Sequence, residues 1–215
     1  MNWTKWEPIF ETRIAESSSC EDPAHDLLHF KRVVITAKKL AIREGGNLEV
    51  IVPAAWLHDF VIIPKNSPLR SQASKLSAEK ALEYLKSVKY PCEYYEGIVH
   101  AIEAHSFSAG IEPKTLEAKI VQDADRLDGL GAIGIARCFA TAGLLKRPFY
   151  ELVDPFCDLR KPNDSLYTLD HFYQKLFKTA ETLQTTAGRK EGKLRVQGMK
   201  TYLDSLRAEI TTTTV

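Results

Sequence analysis

The sequence has little of what would announce a specialised class. Of its 215 residues 29 are basic and 28 acidic, a net charge of +1. Without an excess of either sign, a basic nucleic-acid platform or an acidic tail is excluded as the dominant theme. With 11 glycines and 10 prolines the chain is neither low-complexity nor fibrous. Its longest apolar stretches, residues 50–63 and 129–145, are interrupted by His58-Asp59 and by Arg137, so neither reads as a membrane span. Residues 1–19 carry Glu7, Glu11, Arg13 and Glu16 and no apolar core for a signal peptide. Cys20, Cys92, Cys138 and Cys157 lie far apart with no C-x-x-C, which predicts free thiols in a reducing compartment rather than a disulfide frame or a cysteine zinc site. These absences predict a cytoplasmic globular protein with no membrane and no stable nucleic-acid partner. They leave the oligomeric state open.

Strand-like alternation is sustained nowhere, whereas helical periodicity recurs along the chain. Trp3, Trp6, Phe10 and Ile14 form one stripe; Leu27, Phe30, Val34, Ala37 and Ala41 form another, stopped by Gly45-Gly46 where a left-handed cap is needed. Residues 49–60 are apolar nearly all round and predict a central buried helix with Pro53 in its first turn. Residues 71–88 are helical by pattern, Pro91 restarts a helix to about His105, and residues 115–145 read as one long helix in spite of Gly129, Gly131 and Gly134. Three prolines between Lys146 and Ser165 mark an irregular connection, and two amphipathic helices follow. The fold class is therefore all-α, a single-domain helical bundle. Residues 1–24 give an N-terminal helix packing on the core, 25–145 the core itself, 146–165 the irregular connection, and 166–210 the helices that complete the domain.

Chemistry concentrates at few places. His58-Asp59 closes the most apolar helix, so an imidazole and a carboxylate are carried inward, and burying a carboxylate costs several kcal/mol unless it is paired or bound to metal. A second such dipeptide, His25-Asp26, opens another helix, with His25 and His29 on one face. Asp123, Asp125 and Asp128 lie inside a third apolar helix, where Asp125 and Asp128 share a face. Imidazoles and carboxylates together suit a borderline divalent ion; calcium would take oxygen ligands alone.

His29, then His58-Asp59, then Asp125 resemble the H…HD…D pattern of the HD-domain metal-dependent phosphohydrolases. Longer blocks resemble one bacterial subfamily of small nucleotide pyrophosphohydrolases: HDLLHFKRV (25–33), AAWLHDF (54–60), NSPLRSQASKLSAEKA (66–81), HAIEAHSFSAGI (100–111), EAKIVQDADRLDGLGAIGIAR (117–137) and LDHFYQKL (169–176). The resemblance implies one divalent ion (Mn2+, Mg2+, Ni2+, Co2+, Fe2+ or Zn2+) on His29, His58, Asp59 and Asp125. It favours His29 over His25 as the ligand, and gives Asp123 and Asp128 the task of orienting the imidazoles and a bound water. Arg126 pairs with one of these or touches substrate.

Lys65, Arg70, Ser71 and Ser74 follow the His-Asp pair, and the helix opening at Arg70–Ser71 offers free N–H groups to an anion. The resemblance places this strip beside the metal as the phosphate-binding element; a solvated loop is the alternative. Lys175 and Lys178 are further candidates for a polyphosphate. His105 or His100 is the candidate to protonate the leaving group, with Asp59 positioning water; the two histidines stand about 140° apart on an ideal helix and need not share a role. His171 is expected to be structural or at a cavity rim.

The implied substrate is a small phosphorylated molecule, a nucleotide, and the implied reaction is hydrolysis of a nucleoside triphosphate to monophosphate and pyrophosphate. Nucleotide monophosphatase, phosphodiesterase and a non-catalytic nucleotide sensor are the alternatives. The alarmone hydrolases of the same superfamily carry a Glu-Asp pair after the His-Asp motif, and FVIIPKN (60–66) has no acid there.

Overall fold

The computed structural model describes residues 3–17, 26–63 and 67–211. Among these residues there are helices and turns and no strand, as the periodicity predicts. They gather into two compact units, the first Met1–Asp125 with Gln184–Gly188, the second Arg126–Leu183 with Arg189–Val215. Among the described residues no single helix is both long and apolar enough to cross a membrane. His25, Cys20, Lys65 and Asn66 lie outside the described residues.

In the first unit α1 (Glu7–Ser17) follows a short 3-10 turn and buries Phe10 and Ile14. Helix α2 (Leu27–Glu44) is capped by Asp26, whose Oδ1 accepts the His29 N–H, and ends where Gly45 turns left-handed at φ 82°. Only a residue without Cβ takes that turn at no cost.

Helix α3 (Leu48–Leu57) is buried from Glu49 to Leu57 and packs against α1, α2 and α5 (Tyr95–His105). Asn47 caps it, so Pro53 falls in the second turn instead of the first. The N–H that proline lacks would have served the Glu49 carbonyl, four residues back. The Tyr90 hydroxyl donates to that oxygen at 2.7 Å and takes its place. Helix α4 (Ala73–Ser87) lies on α5, and its Ser77 hydroxyl accepts the Val61 N–H.

Helix α6 (Leu116–Asp128) ends well short of the single long helix expected over 115–145; α7 (Gly131–Leu144) begins after a break. Leu130 is extended and Gly131 has φ 71°. Gly134 is pressed against the Gly129 carbonyl, with which a Cβ there would collide. The glycines make the turn and the close approach; they do not weaken one helix.

Asp123 serves the chain around residues 184 and 185. Its carboxylate, 0% exposed, accepts from the backbone N–H groups of Gln184 and Thr185 and from the Thr185 hydroxyl at 2.7–2.8 Å. It thereby holds the approach to the helix that starts at Thr186. Asp123→Ala is expected to lower stability by roughly 3 kcal/mol or more, because several donors lose one charged acceptor. Urea unfolding reads this; a loss under about 1 kcal/mol counts against the assignment.

The second unit holds α7, α8 (Phe177–Glu181), reached through a π-helical turn at Phe172–Leu176, and α9 (Thr186–Thr211) from Arg189 on. Phe139, Phe149, Phe172 and Tyr202 form its aromatic cluster. The connection 146–165 is irregular, as predicted, yet well bonded: Asp154 accepts the N–H groups of Asp158, Leu159 and Arg160, and Arg160 forks onto buried Asp170. Asp128 pairs with Arg137, the Arg126 guanidinium donates to the Thr182 carbonyl, and His171 pairs with Asp164.

Candidate metal centre

The first unit brings three helix ends and one helix face together. His29 lies in the first turn of α2, His58 caps the C-terminus of α3 with Asp59 next in the chain, His105 closes α5, and Asp125 sits on α6. A helix C-terminus leaves its last carbonyls without N–H partners. His58 and His105 use this in the same way, each folding Nδ1–H back onto the carbonyl three residues earlier, Ala55 at 2.9 Å and Ile102 at 2.6 Å. These bonds fix Nδ1 as the nitrogen that carries a proton, so in both rings Nε2 is the atom turned to the cluster; in His58 it presents a lone pair, and in His105 it faces a carboxylate oxygen.

His29 Nε2 and His58 Nε2 stand 3.2 Å apart, in side chains 1% and 0% exposed. Asp125 Oδ1 is 3.7 Å from the first and 3.8 Å from the second, and Asp59 Oδ2 is 3.8 Å from His58 Nε2. Asp59 Oδ1 lies 3.4 Å from His105 Nε2. Two imidazole nitrogens bound to one ion at about 2.1 Å, with angles between tetrahedral and right, stand about 3.0–3.4 Å apart. The spacing here falls inside that range, and the carboxylates need small movements only. The donor set therefore fits a divalent ion. His29, His58 and Asp125 make one group able to hold a metal; His58, Asp59 and His105 make a second that shares His58.

Exposure gives the cluster a direction. The Asp125 side chain is 29% exposed and Asp59 14%, so solvent and ligand reach it on the carboxylate side, with the imidazoles behind. Burial pulls the His58 pKa down to about 4, against the attraction of Asp59 and Asp125 and with repulsion from His105 and His29. The ring is then neutral at pH 7, as a ligand must be. His105 is buried too, which works against its protonation. The hydrogen bond and charge of Asp59, the charge of Asp125 and the Ile102 carbonyl outweigh burial and push its pKa up.

Other candidates fall elsewhere. His100 belongs to neither group: its Nε2 accepts the Lys114 backbone N–H at 2.9 Å, which ties the chain leading into α6. The five-residue spacing from His105 gives this its reason, since the two rings leave α5 on different faces. Arg70 donates from Nη1 to the Ile63 carbonyl at 2.8 Å, so it pins the segment after the His-Asp pair. Ser71 is exposed and Ser74 is 1% exposed, in the first turn of α4. Lys175 and Lys178 are exposed residues of the second unit.

Residues 27–130 match the HD domain family. The uncharacterised protein YpgQ of Bacillus subtilis is 28% identical over 194 residues, 88% of this chain and 86% of that protein. The crystal structure of YpgQ in complex with ADP has a TM-score of 0.75 and 26% identity, over 97% of each chain. An HD-superfamily hydrolase from Bacillus thuringiensis has a TM-score of 0.74 and 31% identity, over 97% of this chain and 98% of that one. Likeness in sequence and fold over nearly the whole length makes this chain a member of the HD superfamily of metal-dependent phosphohydrolases.

Proposed function

We propose that this protein hydrolyses nucleotides, taking nucleoside triphosphates to monophosphates and pyrophosphate, with one divalent ion, Mn2+ first among candidates, on His29, His58, Asp59 and Asp125. The observation that carries the metal-dependent part is the 3.2 Å approach of two buried Nε2 atoms with two carboxylates at their open side. Support for a nucleotide comes from the related YpgQ, whose structure holds ADP.

A divalent ion supplies water activated near neutral pH and a polarised phosphoryl oxygen. The chain does the rest. Asp59 turns one oxygen toward His58 and the other toward His105, so it links the ligand set with the group that moves a proton. His105 is placed to protonate the leaving oxygen, the role its environment favours. The buried rings of His29 and His58 keep bulk water off the inner side of the cluster. Arg70, Ser71, Ser74 and Lys65 are the phosphate-binding strip of this reading.

The test is a metal-by-substrate screen over nucleoside mono-, di- and triphosphates, dinucleotides and simple phosphodiesters. Release of pyrophosphate from triphosphates is the expected result. Turnover of monophosphates alone, or of phosphodiesters alone, would replace this reading. Bound nucleotide without turnover for any metal would make the protein a sensor.

Arg70→Ala is expected to lower kcat/KM by roughly ten- to a thousandfold, the range for a lost charge-assisted contact or oxyanion-type donor. Metal content should stay intact, because Arg70 is not a ligand. Kinetics unaltered on triphosphate and monophosphate alike would show that phosphate is held elsewhere, with Lys175 and Lys178 next to be replaced.

A further inference from the structure

Gln122 stands on α6 three residues before Asp125, on the same side of the helix. It is 2% exposed. Its Nε2 donates to the carbonyl of Ala104 at 2.7 Å, the residue before His105. The opposite orientation of the amide would set carbonyl against carbonyl, so the donor is fixed as nitrogen. The other end, Oε1, is buried and has no hydrogen-bond partner among the described residues.

A buried acceptor without a donor destabilises a fold, and an apolar side chain of the same length would fill the space without that cost. Packing therefore does not account for a glutamine here. The bond it makes does. Ala104 lies in the last turn of α5, where the helix has no N–H of its own left to give. In that turn His105 Nδ1–H holds the Ile102 carbonyl and Gln122 holds that of Ala104, two residues on. Two side-chain bonds thus fix the end of α5, and the atom they orient is His105 Nε2, 3.4 Å from Asp59 Oδ1. Nothing in the sequence separates Gln122 from its neighbours, because an amide neither carries charge nor titrates.

We propose that Gln122 is a positioning residue of the hydrolytic site: it holds the end of α5 so that His105 keeps its place opposite Asp59. This rests on the reading of His105 as the proton donor. Gln122 touches neither the ligand set nor, on this assignment, the substrate. It acts through His105 alone.

The test uses the full chain with Gln122→Met, which keeps the length and removes both ends of the amide; Gln122→Leu stands in if the first does not fold. In 1H–15N spectra of Zn2+-loaded protein, the His105 Nδ1–H is expected to exchange about tenfold faster in the variant, the factor of one lost buried hydrogen bond. The His58 Nδ1–H, held at the end of α3, should be unchanged. With ATP and Mn2+, kcat should fall about tenfold or more with KM and metal content unaltered, and the substitution should add nothing in a His105→Ala background. Unchanged exchange at His105 overturns the proposal even if the wild-type protein turns over no nucleotide, so failure here is distinct from failure of the hydrolytic reading. A further loss of kcat in the His105→Ala background overturns it as well.

Discussion

His58→Ala and Asp59→Ala proteins are expected to lose bound divalent ion and hydrolysis together, with activity down by on the order of a thousandfold or more. The two substitutions reach this by different routes. His58 is 0% exposed, and its Nε2 stands 3.2 Å from His29 Nε2 while also lying within 3.8 Å of Asp59 and Asp125. Removing it takes away the centre of the donor set and leaves a cavity behind the carboxylates. Asp59 removes a ligand oxygen and, with its other oxygen, the partner of His105. Elemental analysis of the purified variants beside steady-state rates checks both. Full metal occupancy in both variants would falsify the ligand assignment. Loss of activity with retained metal in Asp59→Ala alone would leave His29, His58 and Asp125 as the ligands and make Asp59 the partner of His105 only.

Chelation is expected to lower the melting temperature of the metal-loaded protein, and readdition of Mn2+ to restore it. Without a cation, the His29 and His58 nitrogens face one another at 3.2 Å in a buried space, with Asp59 and Asp125 carboxylates beside them. An ion that binds the native state and not the unfolded chain stabilises it by mass action. At free metal about a hundredfold above the dissociation constant the gain is about 2.7 kcal/mol, which for a chain of this size moves the midpoint by about 5–10 °C. Differential scanning fluorimetry with and without chelator reads the shift. The His58→Ala protein is the control, since it should melt at one temperature under both conditions. A demonstrably loaded wild-type sample that melts unchanged after chelation would contradict the assignment.

Much of the fold was legible in residue order. The stripe of α2, the left-handed stop at Gly45 and the restart after Pro91 follow from local periodicity and backbone sterics, which depend on near neighbours in the chain. The same holds for the burial of α3, apolar on every side. Two boundaries were misjudged where a distant group decides the outcome. The Asn47 cap puts Pro53 in the second turn, which the helix tolerates because Tyr90, far along the chain, serves the carbonyl that proline leaves bare. The break between α6 and α7 turns on Gly134 meeting the Gly129 backbone, a contact that no period displays.

The candidate site divides along the same line. The sequence by itself determined which side chains were available, His29, His58, Asp59, Asp125 and His105, because histidines and carboxylates inside apolar helices stand out by the cost of burying them. Only the tertiary structure decided what each of them faces. It turned His105 toward Asp59 and His100 toward Lys114, and it drew Asp123 to the Gln184–Thr185 backbone. It set Gln122 under the end of α5. Helical spacing fixes a side chain's direction from its own axis and nothing about the neighbouring element, so residues a few positions apart in one motif part company once the helices pack.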